Sequence, residues 1–280
     1  MDKERAKELQ KIAIELRIRG LKMVQTAQSG HIGGAFSMEE LLTVLYFDKM
    51  NIKPEDPHWA ERDRFVLSKG HCTVALYPTL SRRGFFPDEV LNTFRSINGH
   101  LSGHADMTYV PGVDMSTGSL GTGFSTAVGM AAAGKLSKLP YYVYSILGDG
   151  EICEGEIWEA CINASARHLD NLIAIVDSNK VQLDGTVDQV MPNDNLVAKF
   201  QSFGFFTQSI DGHNVQEISD AIDRAKAQHY KPSMIIANTV KGKGVSFMEG
   251  KNAWHGKCPN EEQFAAAFDE LNKALKEVEA

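Results

Sequence analysis

The sequence predicts an α/β protein: a doubly wound parallel sheet with helices on both faces. Three observations carry this. Tyr141–Leu147 (YYVYSIL) and Asn171–Val176 are apolar runs of strand length separated by a turn and a helix-like segment, which is one βαβ unit. A helix pattern at 195–203 precedes a strand at 205–210, and one at 215–228 precedes a strand at 233–239, so the alternation continues. At 280 residues and 43% hydrophobic, the chain can bury one large core, and a single domain over 1–280 is the simplest organisation.

The earlier elements follow from local signals. Residues 3–28 read as one long helix, with Leu9, Ile12, Ala13, Leu16 and Val24 near helical spacing. The glycine-rich SGHIGG at 29–34 stops it. Ser37 with Glu40 forms a capping-box pattern for a helix at 38–50. Phe65–Leu67 is a short strand leading into Ser68-Lys69-Gly70-His71, followed by a helix through Tyr77 and Leu80. Pro87 opens another short helix. Residues 98–118 lack periodicity and hold His100 and His104; a loop this long is usually functional or mobile. FSTAVGMAAAG is a helix whose Gly129 and Gly134 permit close backbone approach, and a charged, alanine-rich helix at 260–279 closes the chain.

Composition excludes several classes. A formal charge of −7 without a basic cluster argues against nucleic acid. Four cysteines (Cys72, Cys153, Cys161, Cys258) without CxxC spacing predict reduced thiols. The charged start is not a signal peptide, and no apolar run approaches a membrane span, so a soluble cytoplasmic protein without a membrane partner is expected.

The chemistry concentrates at Gly148-Asp149-Gly150, at the carboxyl end of one strand and the amino end of a helix, where N–H groups and the helix dipole favour phosphate. Asn179 ends the next strand thirty positions after Asp149. Adjacent in a parallel sheet, a carboxylate, an amide oxygen and a backbone carbonyl would suit Mg²⁺ beside a diphosphate. The pattern resembles the thiamine diphosphate fingerprint, GDG followed by Asn. It lacks the P-loop and the GxGxxG that would point to ATP hydrolysis or a nicotinamide cofactor. His31, His71, His104 and His255 all lie in loops beside glycine, where a lone histidine is more often a solvated surface residue. His71, following the strand Phe65–Leu67, is placed where ligands bind, and imidazole suits phosphate contacts and proton transfer. Zinc is the competing reading, unsupported by HxxxH or HExxH spacing. His168, His213 and His229 sit in ordinary contexts and are assigned no chemistry.

Together SGHIGG (29–34), RFVLSKGHCTVALY (64–77), SGHAD (102–106), PGVDMSTGSLGTGFSTAVGMA (111–131), LGDGEICEGEIWEA (147–160), DSNKVQLDG (177–185) and NAWHGK (252–257) closely resemble the amino-terminal, diphosphate-binding half of transketolase, in family order over nearly the whole chain. Ile32 departs from the proline usual after SGH. The resemblance implies thiamine diphosphate as cofactor, with Asp149, Asn179 and the Val181 carbonyl holding Mg²⁺ (more rarely Ca²⁺). His71, Gly150, Lys241 and His255 would contact the diphosphate, and Gly118, Ser119 and Leu120 would border the cofactor. His31, His104 and His255 would meet sugar hydroxyls and assist proton transfers. Glu154 would sit at the subunit interface beside the partner's catalytic glutamate. A solvated lysine is the alternative for Lys241, and a helix-dipole carboxylate for Glu154.

The resemblance further implies ketol transfer: a two-carbon unit leaves a ketose phosphate for an aldose phosphate, with the cofactor stabilising the carbanion. The family's pyrimidine-binding domain has no room here, so the expectation is one subunit of a split transketolase, joining a carboxy-terminal, pyrimidine-binding chain as α2β2. The alternatives are an α chain of a 2-oxoacid dehydrogenase, a deoxyxylulose-phosphate synthase, and a non-catalytic cofactor-binding module. SKGH, GSLGTG and WHGK favour transketolase over the first two, and the sugar-facing histidines argue against the third.

Overall fold

A computed structural model describes all residues, 1–280. In chain order the elements are α1 (Lys3–Ala27), α2 (Gly33–Phe36), α3 (Glu39–Val44), β1 (Arg64–Leu67), α4 (Thr73–Arg83), α5 (Thr122–Ser137), β2 (Val143–Gly148), α6 (Gly155–Ala166), β3 (Leu172–Ser178), α7 (Val187–Val190), α8 (Leu196–Ser202), β4 (Phe206–Asp211), α9 (Val215–Lys226), β5 (Ser233–Asn238) and α10 (Glu261–Glu279). The five strands form one parallel sheet in the order β1-β2-β3-β5-β4.

Strand alternation divides the apolar side chains between the two faces. Phe65, Leu67, Tyr144, Ile146, Ile173, Ile175 and Ile235 pack into the larger core, beneath α1, α3, α4, α9 and α10. Val66, Val143, Leu147, Leu172, Val176, Met234 and Ile236 face the opposite way, into a smaller core with α5, α6 and α8. Both faces being covered, the central strands are near-continuous apolar runs, as a parallel sheet requires. The register pairs Gly148 with Asp177 and Ser178 with Asn238, so β2, β3 and β5 end side by side.

Two local expectations need correction. The predicted capping box at Ser37 and Glu40 does not form, and the predicted helix over 38–50 breaks into α3 and a π-helical turn at Leu45–Lys49. Ser37 lies in helical conformation, and its hydroxyl donates to Asp177 Oδ2 (2.5 Å), with Gly34 O 3.0 Å away. Glu40 turns to Arg17 of α1 instead, in a bidentate pair of 2.6 and 2.7 Å. A buried charge takes the strongest available partner, and a guanidinium fork is a stronger one than a backbone N–H. Secondly, no α-helix begins directly at the GDG turn: a single 3-10 turn, Glu151–Cys153, intervenes before α6.

The Arg17–Glu40 pair is buried and extends to His213, whose Nδ1 lies 3.0 Å from Glu40 Oε2 and whose Nε2 accepts from Val240 N at 2.9 Å. Burial alone would raise the Glu40 carboxyl; Arg17 and His213 outweigh it and hold it down to about 2. The network ties α1, α3, the turn after β4 and the exit from β5. Glu40→Ala leaves the Arg17 guanidinium buried and unpaired, so urea unfolding should show a loss of about 3–5 kcal/mol.

Candidate functional site

The carboxyl ends of β1, β2, β3 and β5 open into a cavity of about 470 Å³, a ligand-sized volume at the place where open α/β sheets bind. Into it the fold brings His31, His71, His104, Gly118, Leu120, Asp149, Gly150, Glu154, Asn179, Val181, Lys241 and His255. Ser119 does not line it: the residue is exposed, and its carbonyl accepts from the Thr122 N–H and hydroxyl at the start of α5. His100 also lies elsewhere, stacked on Tyr109.

The four histidines arrive from four loops and meet. The His31 ring centroid is 5.3 Å from His71, 5.8 Å from His104 and 5.6 Å from His255, and His71 and His255 are 5.0 Å apart. Close backbone approach makes this possible. At Gly70 a Cβ would stand 2.5 Å from the Thr117 backbone, so only glycine lets the 94–121 segment close on β1. That segment is pinned rather than loose. Ala105 N donates to Gly70 O (3.1 Å), Thr117 Oγ1 to Leu67 O (2.7 Å) and Tyr77 Oη to His104 O (3.0 Å). Burial lowers His31 and His255 to about 4, with Arg95 adding to the first and Lys241 to the second. Burial also depresses His71, helped by Lys69, and His104, helped by Arg95. All four imidazoles are therefore neutral at neutral pH.

Opposite them, Asp149 Oδ2 accepts from Lys180 N at 2.6 Å, and burial beside Asp177 raises its carboxyl to about 6. Asn179 Oδ1 accepts from Val181 N at 3.1 Å. Lys241 is only 2% exposed, which rules out a solvated lysine. Its ammonium donates to the Val181 carbonyl (3.1 Å) and meets His255 Nδ1 at 3.0 Å, and burial lowers its pKa. The GDG turn is locked by Glu151, which accepts from Gly148 N and Gly121 N, both at 3.0 Å, and from Ser68 Oγ at 2.6 Å. The Gly148 N–H is thus occupied, whereas no protein group accepts the Gly150 N–H. Glu154 is exposed at the cavity edge and precedes α6 without capping it through its side chain.

Sequence reasoning missed the residues beneath the floor. Asp177, fully buried, accepts through Oδ2 from Lys69 Nζ (2.5 Å), Ser37 Oγ (2.5 Å) and Asn179 Nδ2 (3.0 Å), and through Oδ1 from Thr239 Oγ1. Burial would raise the carboxyl, but Lys69 and the hydroxyls hold it below its ordinary value. The available signal was a charge at the end of each of two apolar runs, Lys69 in SKGH and Asp177 in DSN, since such charges are buried only when paired. Arg95, behind His31, and the apolar lip of Leu183, Val190 and Met191 were missed too; nothing in local pattern marks them.

Residues 9–273 match the family described as transketolase, thiamine diphosphate binding domain. The chain belongs to the transketolase family. It is 49% identical, over 95% of its length and 97% of the relative, to a 6-deoxy-6-sulfo-D-fructose transketolase subunit of Clostridium sp. (strain MSTE9). It is 41% identical to an apulose-4-phosphate transketolase subunit of Phocaeicola vulgatus, over 94% of this chain and 93% of that one. The crystal structure of Campylobacter jejuni transketolase superposes with a TM-score of 0.90 at 35% identity, over 97% of this chain but 43% of that one. The chain thus spans less than half of that transketolase.

This transketolase-family cavity also passes a chemical test for its cofactor. Asp149, Asn179 and the Val181 carbonyl supply only hard oxygen donors, and Asp149 Oδ1 has no protein partner. A buried carboxylate raised by burial and by a neighbouring carboxylate would be relieved by a cation. The free Gly150 N–H, Lys241 and the neutral imidazoles can hold phosphate oxygens, and the apolar lip suits a ring.

Two outcomes are expected. Asp177→Asn leaves Lys69 buried opposite a neutral amide; stability should fall by about 3–5 kcal/mol in denaturant titration, and thiamine diphosphate affinity should fall with it. Proton NMR from pH 8 to 4 should show His31, His71, His104 and His255 all titrating below the ordinary 6.5, with His31 and His255 near 4.

Proposed function

We propose that this chain is the diphosphate-binding subunit of a two-chain transketolase, which with a pyrimidine-binding partner moves a two-carbon ketol unit from a ketose phosphate to an aldose phosphate. The single observation that carries this reading is the convergence of four neutral imidazoles with Asp149, Asn179, Val181 and Lys241 on one cavity. Similarity to relatives named as transketolase subunits, over almost their full length, supports the two-chain arrangement. We further propose Mg²⁺ as the metal, an α2β2 assembly, and a cytoplasmic location in which the four free cysteines stay reduced. No helix is long and apolar enough to cross a membrane.

In this reading Asp149, Asn179 and the Val181 carbonyl hold Mg²⁺, while His71, Gly150, Lys241 and His255 hold the diphosphate. Gly118 and Leu120 border the rings. Bound there, the cofactor supplies a sink for the electrons of the broken carbon–carbon bond. His31, His104 and His255 orient the sugar through its oxygens, and proton transfer draws on imidazoles that are neutral at neutral pH, with proton removal left to groups other than His31. Glu154, at the exposed edge, is placed to meet the partner chain.

A donor bearing a sulfonate in place of the phosphate is the second reading, favoured by the 49% identical Clostridium relative. Xylulose 5-phosphate and 6-deoxy-6-sulfofructose, assayed side by side with a pyrimidine-binding partner, separate the two. Under either, the isolated chain should be inactive and the partner should restore transfer; full turnover by the chain alone contradicts the proposal. In the restored enzyme His104→Ala should lower kcat/KM by about 10²–10⁴. A 2-oxoacid donor should give no product.

A further inference from the structure

Behind His31 lies an arginine that the proposed chemistry does not use. Arg95 Nη2 stands 3.0 Å from His31 Nδ1, and Nη1 donates to Ser29 Oγ at 2.7 Å. Its place is fixed from several sides. The guanidinium packs over the Phe94 ring at 5.4 Å, and the Arg95 N–H donates to Leu101 O at 2.8 Å. Gly103 leaves the room it occupies, since a Cβ there would fall 2.6 Å from Nε and Nη2. The backbone of Arg95 is left-handed (φ 55°), a conformation an arginine holds only when its surroundings impose it.

We infer that Arg95 is a positioning residue that holds His31 as the neutral Nε2–H tautomer, so that this imidazole enters the cavity as a hydrogen-bond donor and not as a base. A guanidinium carries only donors and does not lose its proton in proteins. The His31 nitrogen facing it must therefore present a lone pair, and the ring's one proton resides on Nε2. Protonating Nδ1 would set N–H against N–H, beside a permanent positive charge. The other groups around the ring are His71, His104, His255 and Lys241; no carboxylate among them compensates an imidazolium, consistent with the depressed pKa. His31 can thus hold a ligand oxygen but cannot take a proton from it at Nε2, which leaves proton removal to other groups. The inference depends on the proposed function only for what that oxygen belongs to.

The test needs no substrate. In the full-length chain labelled with ¹⁵N-histidine, long-range ¹H–¹⁵N spectra report each ring's tautomer, and His31→Gln assigns the His31 signals. At pH 7 His31 should show unprotonated Nδ1 and protonated Nε2. Arg95→Met should give mixed tautomers and raise the His31 midpoint above about 4, with burial still holding it below the ordinary 6.5. Arg95→Lys, which retains a cationic donor, should keep the Nε2–H form. The Nδ1–H form in the wild type or in Arg95→Lys, or an Arg95→Met spectrum and titration identical to wild type, overturns the inference. Should Arg95→Met fail to fold, the other two spectra still decide it. Loss of ketol transfer with these spectra intact would count against the proposed function and not against Arg95.

Discussion

The arrangement depends on one buried ion pair. Asp177, next to last in β3, directs its carboxylate at Lys69, which follows β1, and the two are 2.5 Å apart with almost no solvent access. Lys69 also donates to the Gly34 carbonyl at 2.8 Å, while Ser37, Asn179 and Thr239 close on Asp177. The loop carrying His31, the loop carrying His71, the amide of Asn179 and the exit of β5 toward Lys241 are thereby held to one carboxylate. A buried pair of this kind contributes little net stability compared with an apolar substitute. Its effect is geometric: any arrangement that separates these loops strands a charge.

Above this floor the cavity balances opposing charges. Lys241 and Lys69 supply two cations, Asp149, Glu151 and Glu154 supply carboxylates with Asp177 beneath them, and the four imidazoles are kept neutral by burial and by neighbouring cations. Burial raises both Glu151 and Asp149, but Glu151 accepts from three donors, whereas Asp149 accepts a single hydrogen bond and lies beside an Asp177 already committed to Lys69. The same wall therefore invites a cation at Asp149 and an anion at Gly150 and the imidazoles. A metal diphosphate carries both.

Much of this was legible in the sequence because it follows from short-range rules. Apolar runs alternating with helical periodicity reveal the sheet, and its order puts GDG and DSN at neighbouring strand ends. Glycines beside His31, His71 and His104 mark backbone that must approach closely, as at Gly70. What stayed hidden is what tertiary contact alone decides. Ser37 and Glu40 spell a capping box, yet Arg17, twenty-three residues before Glu40, claims the carboxylate, and Asp177 takes the hydroxyl. Lys69 and Asp177 are over a hundred positions apart, and Arg95 meets His31 across sixty-four. Ser119 sits inside a family-like motif but is turned outward by the start of α5.

The proposed chemistry requires the cavity to grip a diphosphate through a cation held by Asp149, Asn179 and the Val181 carbonyl. An anomalous-difference map from crystals grown with thiamine diphosphate and Mn²⁺ is the sharpest check of that grip. A single strong peak bounded by those three oxygen donors is expected, with diphosphate density between it and His71. A peak at another site, or diphosphate bound with Asp149 and Asn179 directed away from it, would refute it.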